Sequence, residues 1–564
     1  AGGASGGAGG AGGAAPTVDT SGPRGGPLQF LVRNRTTVKV FDLPTREAPT
    51  EAVEYDAIAP EGEQTLGQYS SDGALLALVD ADGVTVVDAD SGEQRARLER
   101  AGVQAVHFSP GNSFLVTWHR MKEASTGSAR DQGNLMVWRL ADGGSVAVRF
   151  FQKALSRADW PTMQWSDDES IAVRCVNNEA HFYDGKAPDA GIATKLRLKG
   201  VGKVSLSPGD APYHVLAFVP PAKGKPSWVK MFRYPELDES AVVASKSFFN
   251  APTVHLEWSP NGSAVVIETR SDLSSATYVG ESKPYLMSVD GSVNQAIPLD
   301  NGGPVQDVKW SPKGDEFALI AGPVPPSAKI YTAKGEVAHD FGRASRCKAC
   351  WSPGGRYLVL AGFDNMAGEI DFWDRVKKKK LGSNENSGTV SFGWSPDGRT
   401  FMAASLHPRL TVDNEVKLFT YYGAGPIIAV QDPELWQCEM RPAPKGAWRD
   451  TAPSPKAARE AYAKAVKDVV SAPVKKMGVY RPRGGASFVS QMMNADKAKV
   501  AESNSMGGKA FQISGNRKVV GHAGPVGMAP PEAPKSGAAA AARRGKKKEA
   551  KRAAAEAAAA EAAA

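Results

Sequence analysis

Cysteine and histidine are scarce in this chain of 564 residues, at four and eight copies. Four cysteines in a chain of this length suit a reducing compartment rather than a disulfide-stapled fold. One pair, Cys347 and Cys350 in "CKAC", has the C-x-x-C spacing of redox and zinc sites. It falls on the run leading into "WSPGG", where strand residues three apart point to opposite faces, and no second pair completes four zinc ligands. Both thiols therefore read as buried and structural, and no metal is expected. The histidines are scattered, with no i, i+4 ligand pair and no triad with serine and aspartate. No run of 18 apolar residues occurs, which excludes a membrane-spanning helix.

The motifs of nucleotide chemistry are missing too. G-x-G-x-x-G appears in the first 26 residues, which begin "AGGASGGAGGAGGAAP", with neither a strand before it nor a helix after it. In that setting it marks no dinucleotide site. "HDFG" (339–342) holds a kinase-like D-F-G without a phosphate loop, a paired strand lysine or an H-R-D, and reads as a strand end and a turn. None of these motifs has its structural context, so neither catalysis nor a cofactor is expected. The chain starts without methionine, which points to processing or truncation, and no signal peptide is legible.

What the chain has instead is a repeat. "WSPNG" at 258 recurs as "FSPGN" at 108, "LSPGD" at 206, "WSPKG" at 310, "WSPGG" at 351 and "WSPDG" at 394, with weaker copies "YSSDG" at 69 and "WSDDE" at 165. The eight copies place serine at 70, 109, 166, 207, 259, 311, 352 and 395, in steps of 39 to 57 residues. A period of this size outranks any single-residue reading. Each copy is a hairpin corner: an apolar strand ends on a buriable aromatic, proline presets φ, and glycine takes the positive φ that closes the turn. Runs such as "YLVLAGF" and then alternating segments such as "EIDFWD" follow each corner, as strands of a half-buried sheet should.

A four-stranded sheet repeated in this way is a blade of a WD-repeat-like β-propeller, an all-β fold. Two pieces belong to no repeat: "LQFLVRNRTTVKVFDL" (28–43) and "ELWQCEMRP" (434–442). Joined, they make a composite blade that closes the ring and leaves no sheet edge open. Nine blades are expected, with eight as the alternative. The organisation is then a glycine- and alanine-rich disordered tail over 1–27, the propeller over 28–443, a linker over 444–540 and a basic, helix-prone arm over 541–564. Within the linker, "SPKAAREAYAKAVKDVVS" offers Ser454 as N-cap and Pro455 in the first turn of an amphipathic helix near 454–471. Its face of Tyr462, Val466, Val469 and Val470 suits docking on the propeller or on a partner.

Charge divides the chain. Residues 445–564 hold 23 Lys and Arg against 9 Asp and Glu, a net of +14, and the whole chain is +8, so residues 1–444 carry −6. The densest run is "RRGKKKEAKR", with Arg543, Arg544, Lys546, Lys547, Lys548, Lys551 and Arg552. It reads as a phosphate-binding arm for RNA, or as a merely solvated end. A second run, Lys377, Lys378, Lys379 and Lys380, follows the strand "EIDFWD" and reads as a solvated hairpin tip or as a secondary phosphate contact.

The stretches "GPVQDVKWSPKGDEFALIAG" (303–322), "YLVLAGFDNMAGEIDFWD" (357–374), "HPRLTVDNEVKLF" (407–419), "ELWQ" (434–437) and "VYRPRG" (479–484) resemble eukaryotic translation initiation factor 2A, in that family's order. The resemblance runs from about residue 28 to 484. It implies a nine-bladed propeller, binding to the small ribosomal subunit, and help in placing initiator methionyl-tRNA without a GTPase trimer. It further implies a monomeric, cytoplasmic factor near mRNA and other initiation factors, with Tyr480, Arg481 and Pro482 as a docking segment. Initiation factor 3 subunit b has a related propeller with an RNA-recognition motif, whose "GFGFV" string is missing here. The family's Y-R-P-P is "YRPRG", with Arg483 in place of the second proline, and 485–540 has no placed counterpart. The alternatives are a generic propeller scaffold with an RNA-binding tail, and a propeller enzyme, which requires a polar cluster in the central channel.

Overall fold

Short β-branched runs that alternate buried with half-exposed side chains form 36 strands, which pair into nine four-stranded antiparallel sheets. The structure is a computed structural model that describes residues 26–43, 52–121, 133–270 and 282–470, except 59, 61, 157, 158, 177, 250, 301 and 412. The sheets are the blades of a ring. Blade 1 holds Gln29–Arg33, Val38–Asp42 and Val53–Glu54, and takes its innermost strand, Gln437–Met440, from the other end of the propeller. Blades 2 to 9 are continuous in sequence and begin with the inner strands Leu66–Tyr69, Val103–Phe108, Met163–Trp165, Lys203–Leu206, Thr253–Trp258, Val305–Trp310, Lys348–Trp351 and Ser391–Trp394. The count is nine, the composite blade is the ninth sheet, and the eight-blade alternative falls. The middle strands bury side chains on both faces of their sheets, so the core is one apolar layer between every adjacent pair of blades, nine in all.

The serine of the repeat does more than occupy a turn. All eight motif serines are buried. Each donates its backbone N–H to the first carbonyls of the next strand, as Ser395 does to Thr400 at 2.8 Å and Ser207 to His214 at 2.8 Å. In seven of the eight, the hydroxyl also accepts a backbone N–H from that strand: Leu75, Phe114, Ile171, His214, Ala264, Tyr357 and Thr400 donate at 2.9–3.0 Å. The corner is thereby closed from both sides with no water needed. In seven of the eight corners the fourth position of the turn takes positive φ, and Asn112 (61°) and Glu169 (55°) do so where glycine is missing; in the Ser207 corner it is the third, Gly209 (84°). At Gly262 the requirement is double: φ is 67°, and a Cβ would run into the carbonyl of Pro208 in the neighbouring corner.

Four of the five motif tryptophans tie blades together, while Trp165 bonds to the Gly185 carbonyl of its own blade at 3.1 Å. The indole N–H of Trp258 donates to Ser205 Oγ at 3.1 Å, Trp310 to the Glu257 carbonyl at 2.9 Å, Trp351 to Lys309 at 3.0 Å and Trp394 to Cys350 at 3.1 Å. Each of these four acceptors lies on the inner strand of the preceding blade. Tryptophan here combines a large buried ring with a satisfied polar edge.

The ninth corner has no chain through it, because blade 1 is built from both ends of the propeller. Arg441 stands where the other corners have serine. Its backbone N–H donates to the Gln29 carbonyl at 2.9 Å, as the serines do to their next strands. Its guanidinium, 4% exposed as a residue, reaches the carbonyls of Gly73 at 2.8 Å and Ala89 at 3.2 Å, Gln29 Oε1 at 2.8 Å and Asp90 Oδ1 at 2.7 Å. "MRP" (440–442) is thus a ninth copy of W-S-P in altered residues.

Beyond the ring, residues 442–455 run along the corner face and lead into helix α1 (Lys456–Val470). Val466 is buried and Tyr462 half-buried against the layer between blades 9 and 1; the side chains of Val469 and Val470 lie outside the described residues. Ser454, expected as N-cap, gives its backbone N–H to the Tyr421 hydroxyl at 2.8 Å, while the Pro455 carbonyl accepts from Arg459 at 3.1 Å. "HDFG" lies inside the outer strand Val337–Arg343 of blade 7 rather than at its end, with Phe341 edge-on to Trp373 at 4.8 Å.

Two substitutions test this account. Ser395→Ala leaves the Thr400 N–H unpaired in a buried corner and is expected to cost about 1–3 kcal/mol in denaturant unfolding, with Ser395→Thr milder. Arg441→Leu strands several buried acceptors at the closure and is expected to cost about 3 kcal/mol or more. Unchanged unfolding midpoints would remove the corners from the list of what holds the ring.

Candidate nucleic-acid interface

Of the sequence-derived site residues, Arg543, Arg544, Lys546, Lys547, Lys548, Lys551 and Arg552, and the segment Tyr480, Arg481 and Pro482, lie outside the described residues. The lysine tetrad is described. Lys377 and Lys378 sit in the turn of the outer hairpin of blade 8, and Lys379 and Lys380 open its outer strand Lys379–Glu385. All four are exposed. They are not equivalent. Lys378 takes φ 52° and gives Nζ to the Ala338 carbonyl of blade 7 at 3.3 Å. Lys380 pairs with Asp371 at 2.6 Å, and the same buried carboxylate accepts Arg346 at 2.7 Å. Lys377 and Lys379 have no carboxylate partner among the described residues.

Three of the four, Lys377, Lys379 and Lys380, line one wall of a groove of about 880 Å³. The opposite wall is α1, whose Lys456, Arg459, Glu460, Ala463 and Lys467 face it at helical spacing. Six cations line it (Lys377, Lys379, Lys380, Lys456, Arg459 and Lys467) against two acids, Asp374 and Glu460. Asp374 is fully buried and engaged by Arg356 at 3.5 Å and by the Lys377 backbone at 3.1 Å, and Glu460 lies 3.5 Å from Lys456. The floor is Gly382, Gly423 and Gly425. A concave, one-signed surface of this kind raises the local concentration of anions.

The groove exists because the chain before α1 is held down. Lys445 pairs with Asp167 of blade 4 at 2.7 Å. Farther on, the Thr451 carbonyl accepts the Tyr357 hydroxyl at 3.0 Å and the Ala452 carbonyl accepts Arg399 at 3.0 Å. Arg459 bonds back to the Ser454 carbonyl at 3.1 Å and lies over the Tyr422 ring at 5.7 Å. The lysine tetrad is legible from its charge run. The α1 wall is not, because its basic residues are spaced like those of any solvated helix.

The inner strands carry polar residues that sequence reading did not assemble. His107, Glu257, Asp307, Lys309, Cys350 and Glu439 are all half-buried on inner strands. Lys309 pairs with Glu257 at 3.1 Å across two blades, and Asp307 accepts the Ala349 N–H at 2.8 Å, so these groups join adjacent inner strands. Among the described residues no three His, Cys, Asp or Glu are grouped to hold a metal. Burial pushes the Cys350 thiol up to about 12, helped by Asp307, and raises that of Cys347, so neither is an activated nucleophile. Cys347 is buried and Cys350 half-buried, both unbridged.

Glu439 is the outlier in this set. Burial raises its carboxyl to about 7. A folded pKa above the unfolded value favours folding fully below the unfolded value, near pH 4.5, and that contribution is lost as pH rises through about 7. Glu439→Gln is therefore expected to melt like the parent at pH 5 and at a higher temperature at pH 8, by at most about 3 kcal/mol of stability. An identical difference at both pH values would sink the assignment.

A family model described as "Eukaryotic translation initiation factor eIF2A" matches residues 246–438. The chain is 32% identical over 430 residues to "Eukaryotic translation initiation factor 2A" of Dictyostelium discoideum, covering 74% of this chain and 66% of that one. It is also 32% identical over 426 residues to the protein of that name in Schizosaccharomyces pombe, covering 74% and 72%. A solved structure described as "Crystal structure of the eukaryotic initiation factor" superposes with a TM-score of 0.66 at 30% identity, covering 74% of this chain and 100% of that one. The chain spans just under two thirds of the length of the Dictyostelium relative. With its nine-bladed ring and this degree of identity, the chain belongs to the eukaryotic translation initiation factor 2A family.

Proposed function

We propose that this protein binds the small ribosomal subunit and assists the placement of initiator methionyl-tRNA independently of a GTPase trimer, as a cytoplasmic, non-enzymatic factor. Family membership carries the reading. The charge distribution supports it: residues 1–444 sum to −6 and residues 445–564 to +14, so the part that attracts RNA is the C-terminal one. The propeller supplies a rigid body that chooses the site, and the basic arm adds sequence-independent attraction to phosphate.

If about five of the seven basic residues between Arg543 and Arg552 neutralise phosphates, the log–log salt slope for single-stranded RNA is about −3.5, and fourfold more salt weakens binding roughly 100-fold. Truncation after residue 540 is expected to weaken binding to small subunits and to flatten that slope, measured by co-sedimentation at several salt concentrations. Initiator tRNA delivery is read separately, by whether the full chain retains labelled methionyl-tRNA on subunits without GTP. A full chain that fails to sediment with subunits at low salt would favour the generic scaffold instead.

A further inference from the structure

Resting on the initiation-factor reading, we infer that the groove between the outer hairpin of blade 8 and α1 is a second RNA site, one that holds the phosphodiester backbone without reading bases. Three features point to this ligand. The cations sit on two facing walls, so a strand laid between them is neutralised from both sides. On the α1 wall the groove-lining positions, 456, 459, 460, 463 and 467, form a single stripe spanning about 16 Å of helix axis, the geometry of a linear polyanion rather than of a single small anion. Between the walls the lining is mostly small residues (Gly382, Ser383, Gly423, Ala424 and Gly425), which leaves room for close approach.

What is missing from the lining fixes the mode. Base readout on single strands needs exposed aromatic faces for stacking. The one aromatic residue at the groove is Tyr422, which is half-buried and carries the Arg459 guanidinium over its ring at 5.7 Å. No face is left for a base. An acidic protein segment would meet the same charges, but an extended acidic peptide also brings apolar side chains. Beyond Tyr422, the groove lining offers them only Leu381, Pro453, Pro455 and small residues, and no apolar pocket.

The test uses the full chain. Lys377, Lys379, Lys456 and Lys467 are exposed, and among the described residues Lys456 alone of them has an ion pair, the surface one with Glu460, so their replacement leaves the fold intact. Lys380 and Arg459 stay, because they hold Asp371 and the α1 start. The pairs Lys377→Ala/Lys379→Ala and Lys456→Ala/Lys467→Ala, and the quadruple variant, are titrated against a fully paired RNA hairpin, against unpaired oligouridylate and against small subunits.

Each lysine removed is expected to flatten the log–log salt slope by roughly 0.7–0.9, so the quadruple variant loses a slope of about 3. The loss should be similar on paired and unpaired RNA, and either pair alone should give about half of it. Slopes equal to the parent's on all three probes would overturn the groove as an RNA site while leaving the initiation-factor reading in place. A loss on subunits with none on naked RNA would overturn it too, and assign the groove to a ribosomal protein. A parent that binds neither RNA nor subunits would overturn both readings.

Discussion

A buried serine hydroxyl bonded to the backbone of the next strand, at seven of the nine inner corners, is the constraint on which the rest of this propeller stands. A four-stranded sheet has no reason to start its second strand at one residue rather than the next unless the turn decides it, and a slip by one residue would move every side chain to the opposite face of its sheet. The serine decides it twice, by its own N–H and by its oxygen. Each corner also touches the next, as Gly262 does Pro208 and Asn112 does Asp72 at 2.8 Å. The corners therefore set the register within blades and the spacing between them, and the nine apolar layers fall into place between surfaces already aligned.

How much of this was legible depends on whether the chemistry repeats. Aromatic, proline and glycine recur in order, so the blades could be counted, and the orphan pieces at 28–43 and 434–442 announced a composite blade by remainder. The bond pattern was not legible. Serine in a turn looks like any turn-former, and nothing local says that the Trp310 indole will find Glu257 of another blade. The ninth corner was hidden for a sharper reason: at a seam without a covalent turn, a short hydroxyl cannot span the gap, and the long guanidinium of Arg441 does. A motif search keyed to serine passes over it.

The groove was half legible for a related cause. Lys377 to Lys380 declare themselves by density, but whether such a run is a solvated tip or a site depends on what stands opposite. Here that is α1, some eighty residues later, and its cations gain meaning only from the strap that holds the helix against blades 8 and 9. The polar set on the inner strands escaped notice likewise, because its members come one or two per blade. Their mutual bonds, Lys309 with Glu257 and Asp307 with Ala349, show polar groups used as mortar between inner strands rather than left free for chemistry.

Closure and the basic groove are consecutive in the chain, and this links stability to the surface. Arg441 ends the last strand; the next residues pass Asp167 of blade 4, reach Tyr357 and Arg399 of blades 8 and 9, and only then begin α1. The helix itself is held by little, with Val466 its one fully buried side chain among those described. A helix of 15 residues with so small an apolar face does not stay folded and placed by its own propensity. Its position is inherited from the strap, and the strap's from the seam. The α1 wall of the groove is therefore present only in the closed ring, so that the charge the chain offers to a polyanion is assembled by the same contacts that complete the fold.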